Sequence, residues 1–96
     1  MALRPLVVDI EMISEPGRLS GWVLDVSGVL KVYHEAPESR DANEFIIKTV
    51  AEKLNIPRSR VVHLKGFSSR FKKFKIGKDI SLDELCKALD AKKGQV

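Results

Sequence analysis

The sequence predicts a two-layer α+β domain, and three patterns support this prediction. Residues 6–13 alternate apolar and polar side chains, as a strand with one buried face does. Residues 45–54 and 82–89 repeat apolar side chains every three or four positions, which is typical of helices with one buried stripe. The element order is strands, helix, two strands, helix, and such segments pack as one sheet layer and one helix layer.

The first part of the chain predicts three strands. Residues 6–13 form the first strand, and residues 14–20 contain proline and glycine and form a loop. A hairpin follows, with arms at residues 22–26 and 29–34 joined by a Ser-Gly turn. Both faces of the second arm carry apolar side chains, so periodicity leaves its buried face open.

Clear start and stop signals bound the first helix. Asp41 can cap its first turn, with Glu44 reaching back from three residues later. Asn55, with Pro57 two residues on, ends it.

The second half of the chain predicts a hairpin and a final helix. Residues 61–64 form a strand and residues 66–69 a turn. Ser81 and Glu84 make a capping box for the final helix. The returning hairpin arm has an apolar face with Phe74 and Ile76 and a basic face with Lys73 and Lys75.

Length and composition indicate one ordinary globular domain spanning residues 1–96, with residues 1–5 and 92–96 expected to fray. Hydrophobic residues make up 44% and charged residues 31%, and no apolar run is long enough to span a bilayer. The single cysteine, Cys86, allows no intramolecular disulfide. We therefore expect a cytoplasmic protein without a membrane segment, and a monomer by default.

Charge is distributed unevenly along the chain. Residues 1–55 carry 6 Lys/Arg against 9 Asp/Glu, a balance of −3, whereas residues 56–96 carry 11 against 4, a balance of +7. No acidic residue lies between Pro57 and Lys78, and such a run is typical of a surface that binds an anionic partner. The basic residues of this segment are Arg58, Arg60, Lys65, Arg70, Lys72, Lys73, Lys75 and Lys78.

A set of motifs between residues 29 and 89 resembles the YggU-like family of small uncharacterised proteins. The matching positions, whose roles the sequence does not define, are Pro37, Ala42, Asn43, Gly66, Ser69, Arg70 and Lys72. The resemblance implies a four-stranded, mainly antiparallel sheet with two helices on one face, in the order β-β-α-β-β-α. Residues 6–13 would then add an extra N-terminal strand. The family has no agreed biochemical activity, so the resemblance implies none.

One departure from the family pattern concerns the loop before the first helix. The family usually has Gly-Lys just before Ala-Asn, where this chain has Arg40-Asp41. An acid replaces a cation there, so Asp41 cannot take over an anion-binding role of that lysine, whereas the neighbouring Arg40 could.

The second hairpin carries our first functional hypothesis, a non-enzymatic module that binds RNA or DNA. It combines aromatic and basic side chains, a mixture that stacks bases and neutralises phosphates. The alternative is a solvated strand whose aromatic residues belong to the core. The candidate residues are Ser69, Arg70, Phe71, Lys72, Lys73 and Lys75.

Two other classes of function stay open. A small anionic ligand, or an anionic substrate of an enzyme, could lie between the loop 36–43 and the hairpin 66–75, where Asn43 either contacts the ligand or ties the loop. The acidic first half and basic second half also suit a module that binds another protein. No paired acid and base is evident, so we predict no catalytic residue and lean away from an enzyme.

Nothing in the sequence predicts a cofactor or a metal. His34 and His63 are isolated from other ligand residues. Cys86 lies among leucines, which predicts a buried and unreactive thiol.

Overall fold

The computed structural model describes residues 4–14 and 21–93, and within them the predicted α+β class is confirmed. Most of the predicted loop 14–20 lies outside the described residues, as do positions 1–3 and 94–96 of the predicted frayed ends. The elements are β1 (Leu6–Ile13), β2 (Trp22–Leu24), β3 (Leu30–Tyr33), α1 (Arg40–Leu54), a short 3-10 helix (Arg58–Arg60), β4 (Val61–Lys65), β5 (Phe71–Ile76), α2 (Leu82–Leu89) and β6 (Lys92–Lys93).

The described strands form one mixed sheet of six, in the order β4-β5-β1-β3-β2-β6. The expectation of four mainly antiparallel strands with an extra one at the N-terminus is therefore wrong in detail. β1 lies inside the sheet, antiparallel to β5 and parallel to β3. In the sheet, β3 lies between β1 and β2. Because β2 and β3 are antiparallel arms of one hairpin, β3 runs in the same direction as β1, and the two form a parallel pair.

Both helices contribute to a core on one face of the sheet. The inward residues of β1 are Val8, Ile10 and Met12, as the alternation predicted, and each is at most 3% exposed. On β3 the buried side chains are Leu30 and Val32, which resolves the face that periodicity left open. The helices add Ala42, Ile46, Val50, Ala51 and Leu54 from α1 and Leu85, Cys86 and Leu89 from α2.

Helix ends follow the expected chemistry with one correction. The cap of α1 is Ser39 and not Asp41, because the extended backbone of Ser39 lets its Oγ accept a hydrogen bond from the amide of Ala42 at 3.2 Å. Asp41 lies in the first turn instead. Asn55 ends α1 with φ +56, as predicted. The capping box of α2 is also confirmed.

Residues 92 and 93 form β6 although we expected them to fray. They pair in parallel with Val23 and Leu24 of β2 at one edge of the sheet. In the described part of the chain, neither helix combines the length and apolar character needed to cross a bilayer.

A tight turn at residues 66–70 joins β4 to β5. Gly66 has φ +82, and a Cβ at this position would collide with the carbonyl oxygen of Phe71. Leu64, just before the turn, lies at an irregularity in the pairing of β4 with β5. The turn therefore depends on glycine for its backbone conformation and for the close approach of β5.

Replacing Gly66 by alanine should destabilise the fold more than the same change at Gly28. Gly28 has φ +89 but open space around its Cβ position, so Gly28→Ala should cost about 1–2 kcal/mol for the backbone conformation alone. Gly66→Ala adds a backbone clash and should cost about 3 kcal/mol or more. Urea unfolding of both variants measures the difference, and equal losses would contradict a close-packed turn.

Candidate nucleic-acid interface

The alternation of β5 divides the predicted site residues between two faces. Phe71, Lys73 and Lys75 lie on the face of the sheet away from the helices, opposite Glu11, Asp9 and Val7 of β1 respectively. We call this surface the open face. Lys72 points the other way with Phe74 and Ile76 and is only 3% exposed, so it does not belong to the same surface as Lys73 and Lys75.

Apolar side chains are unusually exposed on the open face. Phe71 is 57% exposed at the start of β5, although a ring of this size is normally buried. The other exposed apolar side chains that strand alternation places on this face are Val7 (51%), Val62 (39%) and Tyr33 (38%). The register places Val7 and Val62 on either side of Lys75 at one end of the face, whereas Phe71 and Tyr33 lie toward the other end.

A shallow groove of about 330 Å³ lies on this face beside Phe71. Its lining includes Asp9, Val29, Lys65 and Lys73, together with Ile10 and Lys72, whose side chains point toward the helices. The volume is at the low end of ligand pockets in proteins, so the groove suits one planar group and not an extended molecule.

The cations around the groove differ in how they are paired. Lys73 lies 3.6 Å from the Asp9 carboxylate, and Lys31 lies 3.8 Å from Glu11. Lys65, Arg70 and Lys75 are exposed, and the described residues provide no ion pair for them. The guanidinium of Arg70 lies 5.3 Å from the centroid of the Phe71 ring, a cation–π distance. The cations without an ion pair in the described residues, Lys65, Arg70 and Lys75, therefore all belong to the β4–β5 hairpin.

Three side chains hold the turn that presents Phe71. The ammonium of Lys72 donates to the carbonyl oxygen of Gly66 at 3.1 Å, and the Asn43 amide donates to the carbonyl oxygen of Phe67 at 3.1 Å. The Ser69 hydroxyl accepts from the amide of Phe71 at 3.0 Å. Asn43 thus ties the start of α1 to the hairpin, as the structural alternative for this residue predicted.

The loop 36–43 and the hairpin do meet, as the small-ligand hypothesis requires. The contact is made by side-chain donors on backbone carbonyls, and Asn43 Oδ1 is buried and accepts no hydrogen bond from the described residues. This atom is an acceptor, so it cannot donate a hydrogen bond to the oxygen atoms of an anion. Arg40 and Asp41 point outward on the first turn of α1, and Pro37 lies in the loop before the cap. The donors of Asn43 and Lys72 are thus directed to backbone carbonyls, and the small-ligand hypothesis stays a prediction.

Several residues of the open face were missed by sequence reasoning. Tyr33, Val62 and Asp9 come from three other strands, and only strand pairing brings them beside β5. The alternation within each strand shows which of its side chains share a face. The sequence pattern does not show the order of the strands in the sheet. The His63 ring is stacked on that of Phe74, with centroids 4.4 Å apart, and is tilted by 42° to the ring of Phe67, whose centroid is 4.2 Å away.

Neither metal nor thiol chemistry finds support in this part of the molecule. The described residues contain no group of three His, Cys, Asp or Glu side chains that could hold a metal ion. Cys86 is 7% exposed, and burial raises the pKa of its thiol, which disfavours the reactive thiolate.

Known protein-family models yield no match to this chain. The resemblance to the YggU-like family thus stays a prediction from the motifs given above.

Burial also shifts the pKa values of two groups near the turn. It lowers the pKa of Lys72 below the ordinary value of 10.5, and the Glu38 carboxylate opposes this shift. It lowers the pKa of His63 as well, where the carbonyl of Lys65 opposes the shift and the charge of Lys72 adds to it. A charged Lys72 is therefore held in the fold against a desolvation penalty.

This burial predicts a specific pH dependence of stability. Between the lowered pKa of folded Lys72 and 10.5, the unfolded chain binds the proton more tightly, so the free energy of unfolding rises with pH. Wild type should therefore gain stability relative to Lys72→Met as the pH rises toward 10.5. Lys75→Met, at an exposed position, should keep the wild-type profile. Parallel profiles for wild type and Lys72→Met in urea unfolding would contradict a buried ammonium.

Proposed function

We propose that this protein is a non-enzymatic module that binds single-stranded RNA or DNA on the open face of its sheet. The observation that carries the proposal is the 57% exposed ring of Phe71 beside a groove rimmed by Lys65 and Lys73. An exposed ring next to cations supplies the two interactions that bind a single strand, base stacking and phosphate neutralisation.

The layout of the open face favours a single strand over a duplex. Phe71 and Tyr33 belong to strands separated by β1, so their backbones lie about 10 Å apart across the sheet. Bases of a duplex are stacked on each other and are not free to lie on such rings, whereas unpaired bases are. Arg70, Lys65 and Lys75 lie on one side of this platform, where a backbone of phosphates can run along them.

This reading replaces part of the sequence-based site. Phe71, Lys73, Lys75 and Arg70 stay in the proposed interface, and Lys65 and Tyr33 join it. Lys72 and Ser69 act on the turn and not on the ligand, because their polar atoms contact backbone groups at residues 66 and 71.

Salt dependence is the first test of the proposal. Binding of a fluorescein-labelled single strand, measured by anisotropy, should weaken with salt at a slope of about −2 to −3 in log K against log salt, as three or four phosphate contacts require. Lys75→Gln should reduce the steepness by about 0.7, the contribution of one contact. Lys87→Gln, an equal charge change on α2, is the control and should leave the slope unchanged.

An absence of binding to single-stranded RNA and DNA at about 50 mM salt would reject the proposal. Retention of another protein on the immobilised chain, without nucleic-acid binding, would then assign the open face to a protein partner.

Stacking is tested by two phenylalanines of matched exposure. Phe71→Ala should weaken binding about 5- to 100-fold, the range for loss of one base–aromatic stack. Phe67 is 59% exposed but packs on His63, whose ring stacks on core residue Phe74, so it lies on the helix side of the hairpin. Phe67→Ala should therefore leave binding within about twofold of wild type. Equal losses in both variants would argue against stacking on the open face.

A further inference from the structure

An acidic residue, Asp9, lies beside the groove in which the proposed nucleic acid would place a base. Asp9 lines this groove together with Phe71 and the two lysines at its rim. Its neighbour in the pairing with β5 is Lys73, and the position opposite Phe71 is Glu11, two residues further along the same face of β1. The backbone of Asp9 is therefore the diagonal neighbour of that of Phe71, about 7–8 Å away, so a planar group stacked on Phe71 can extend to it.

The two carboxylates of β1 differ in availability. The side chain of Asp9 is 60% exposed, whereas that of Glu11 is 20% exposed. Asp9 has one ion pair, with Lys73 at 3.6 Å, and a surface pair of this kind adds little to stability. An exposed negative charge also repels phosphates, so at this position it weakens general binding to nucleic acid. Its location is favourable only if the carboxylate contacts a part of the ligand that donates hydrogen bonds.

Guanine is the base whose donors match such a group. An ionised carboxylate only accepts hydrogen bonds, and its two oxygens can take two parallel N–H donors. The Watson–Crick edge of guanine has two adjacent donors, N1–H and the N2 amino group. The other three bases have at most one donor position next to an acceptor on that edge, and an acceptor facing a carboxylate is repelled.

We propose that Asp9 is a specificity residue that selects guanine for the base stacked on Phe71. The inference rests on the proposed function, since it assigns base recognition within the same interface. In this arrangement the guanine ring stacks on Phe71, and its N1–H and N2 amino groups donate to the Asp9 carboxylate. Lys73 pairs with the Asp9 carboxylate at 3.6 Å, while Lys65 and Arg70 contact the flanking phosphates.

The test compares three labelled RNA octamers, U8, U4GU3 and U4IU3, where I is inosine. Inosine keeps the N1–H of guanine and lacks only the N2 amino group. U4GU3 should bind about five- to tenfold more tightly than U8, the low end for a bidentate contact to a base. U4IU3 should lose most of that gain. Equal affinity of U4GU3 and U4IU3 would overturn the inference without using any variant.

Asp9→Asn is the matching protein variant. An amide places a donor against one of the two guanine donors, so the ratio between U4GU3 and U8 should fall to about one to two. The variant loses one negative charge, so its net charge rises by one, and its affinity for both octamers should rise. Asp90→Asn makes the same charge change at the end of α2, and it should keep the wild-type ratio.

The possible outcomes separate the two proposals. A protein that binds all three octamers equally would retain the proposed function but not guanine selection by Asp9. A preference for guanine that persists in Asp9→Asn would exclude this residue as its source. Failure of every octamer to bind at about 50 mM salt would reject the proposed function and, with it, this inference.

Discussion

The antiparallel pairing of β1 with β5 determines which side chains meet on each face of the sheet. Its register joins residues 6–11 to residues 71–76, and because side chains alternate, each strand contributes one row to the core and one to the open face. A shift by one residue would exchange the two rows and bury Lys73 and Lys75. The apolar row of β1, with Val8, Ile10 and Met12, makes that exchange unfavourable, so the core specifies the open face.

Lys72 is the one charged residue among the buried side chains of the described chain, and its place follows from this register. Lys72 is on the same face of β5 as Phe74 and Ile76, at the end of the strand next to the turn. Its ammonium donates a hydrogen bond to the carbonyl oxygen of Gly66. Desolvation opposes the charge, and the hydrogen bond together with Glu38 partly offsets it. The long side chain thus serves the turn, which in turn sets the position of Arg70 and Phe71.

Local elements were predictable from the sequence because their signals are local. The alternation of β1, the capping box at Ser81 and the αL stop at Asn55 all act within a few residues, and each prediction was correct. The mixed strand order depends on contacts between distant segments, and neither periodicity nor the family resemblance contained that information. For the same reason the hairpin's contribution to the candidate site was readable from its alternation, whereas Asp9 and Tyr33 were missed. The alternation also places Lys72 on the core face with Phe74, although we predicted it as a site residue.

The alternation of β5 separates two kinds of position along a single strand. In β5 the even-numbered residues maintain the fold, whereas the odd-numbered ones face solvent and contribute little to it. Substitutions at positions 71, 73 and 75 can therefore accumulate with small effects on stability. Replacing every second residue of this strand would therefore change the chemical character of the open face while the core row stays intact.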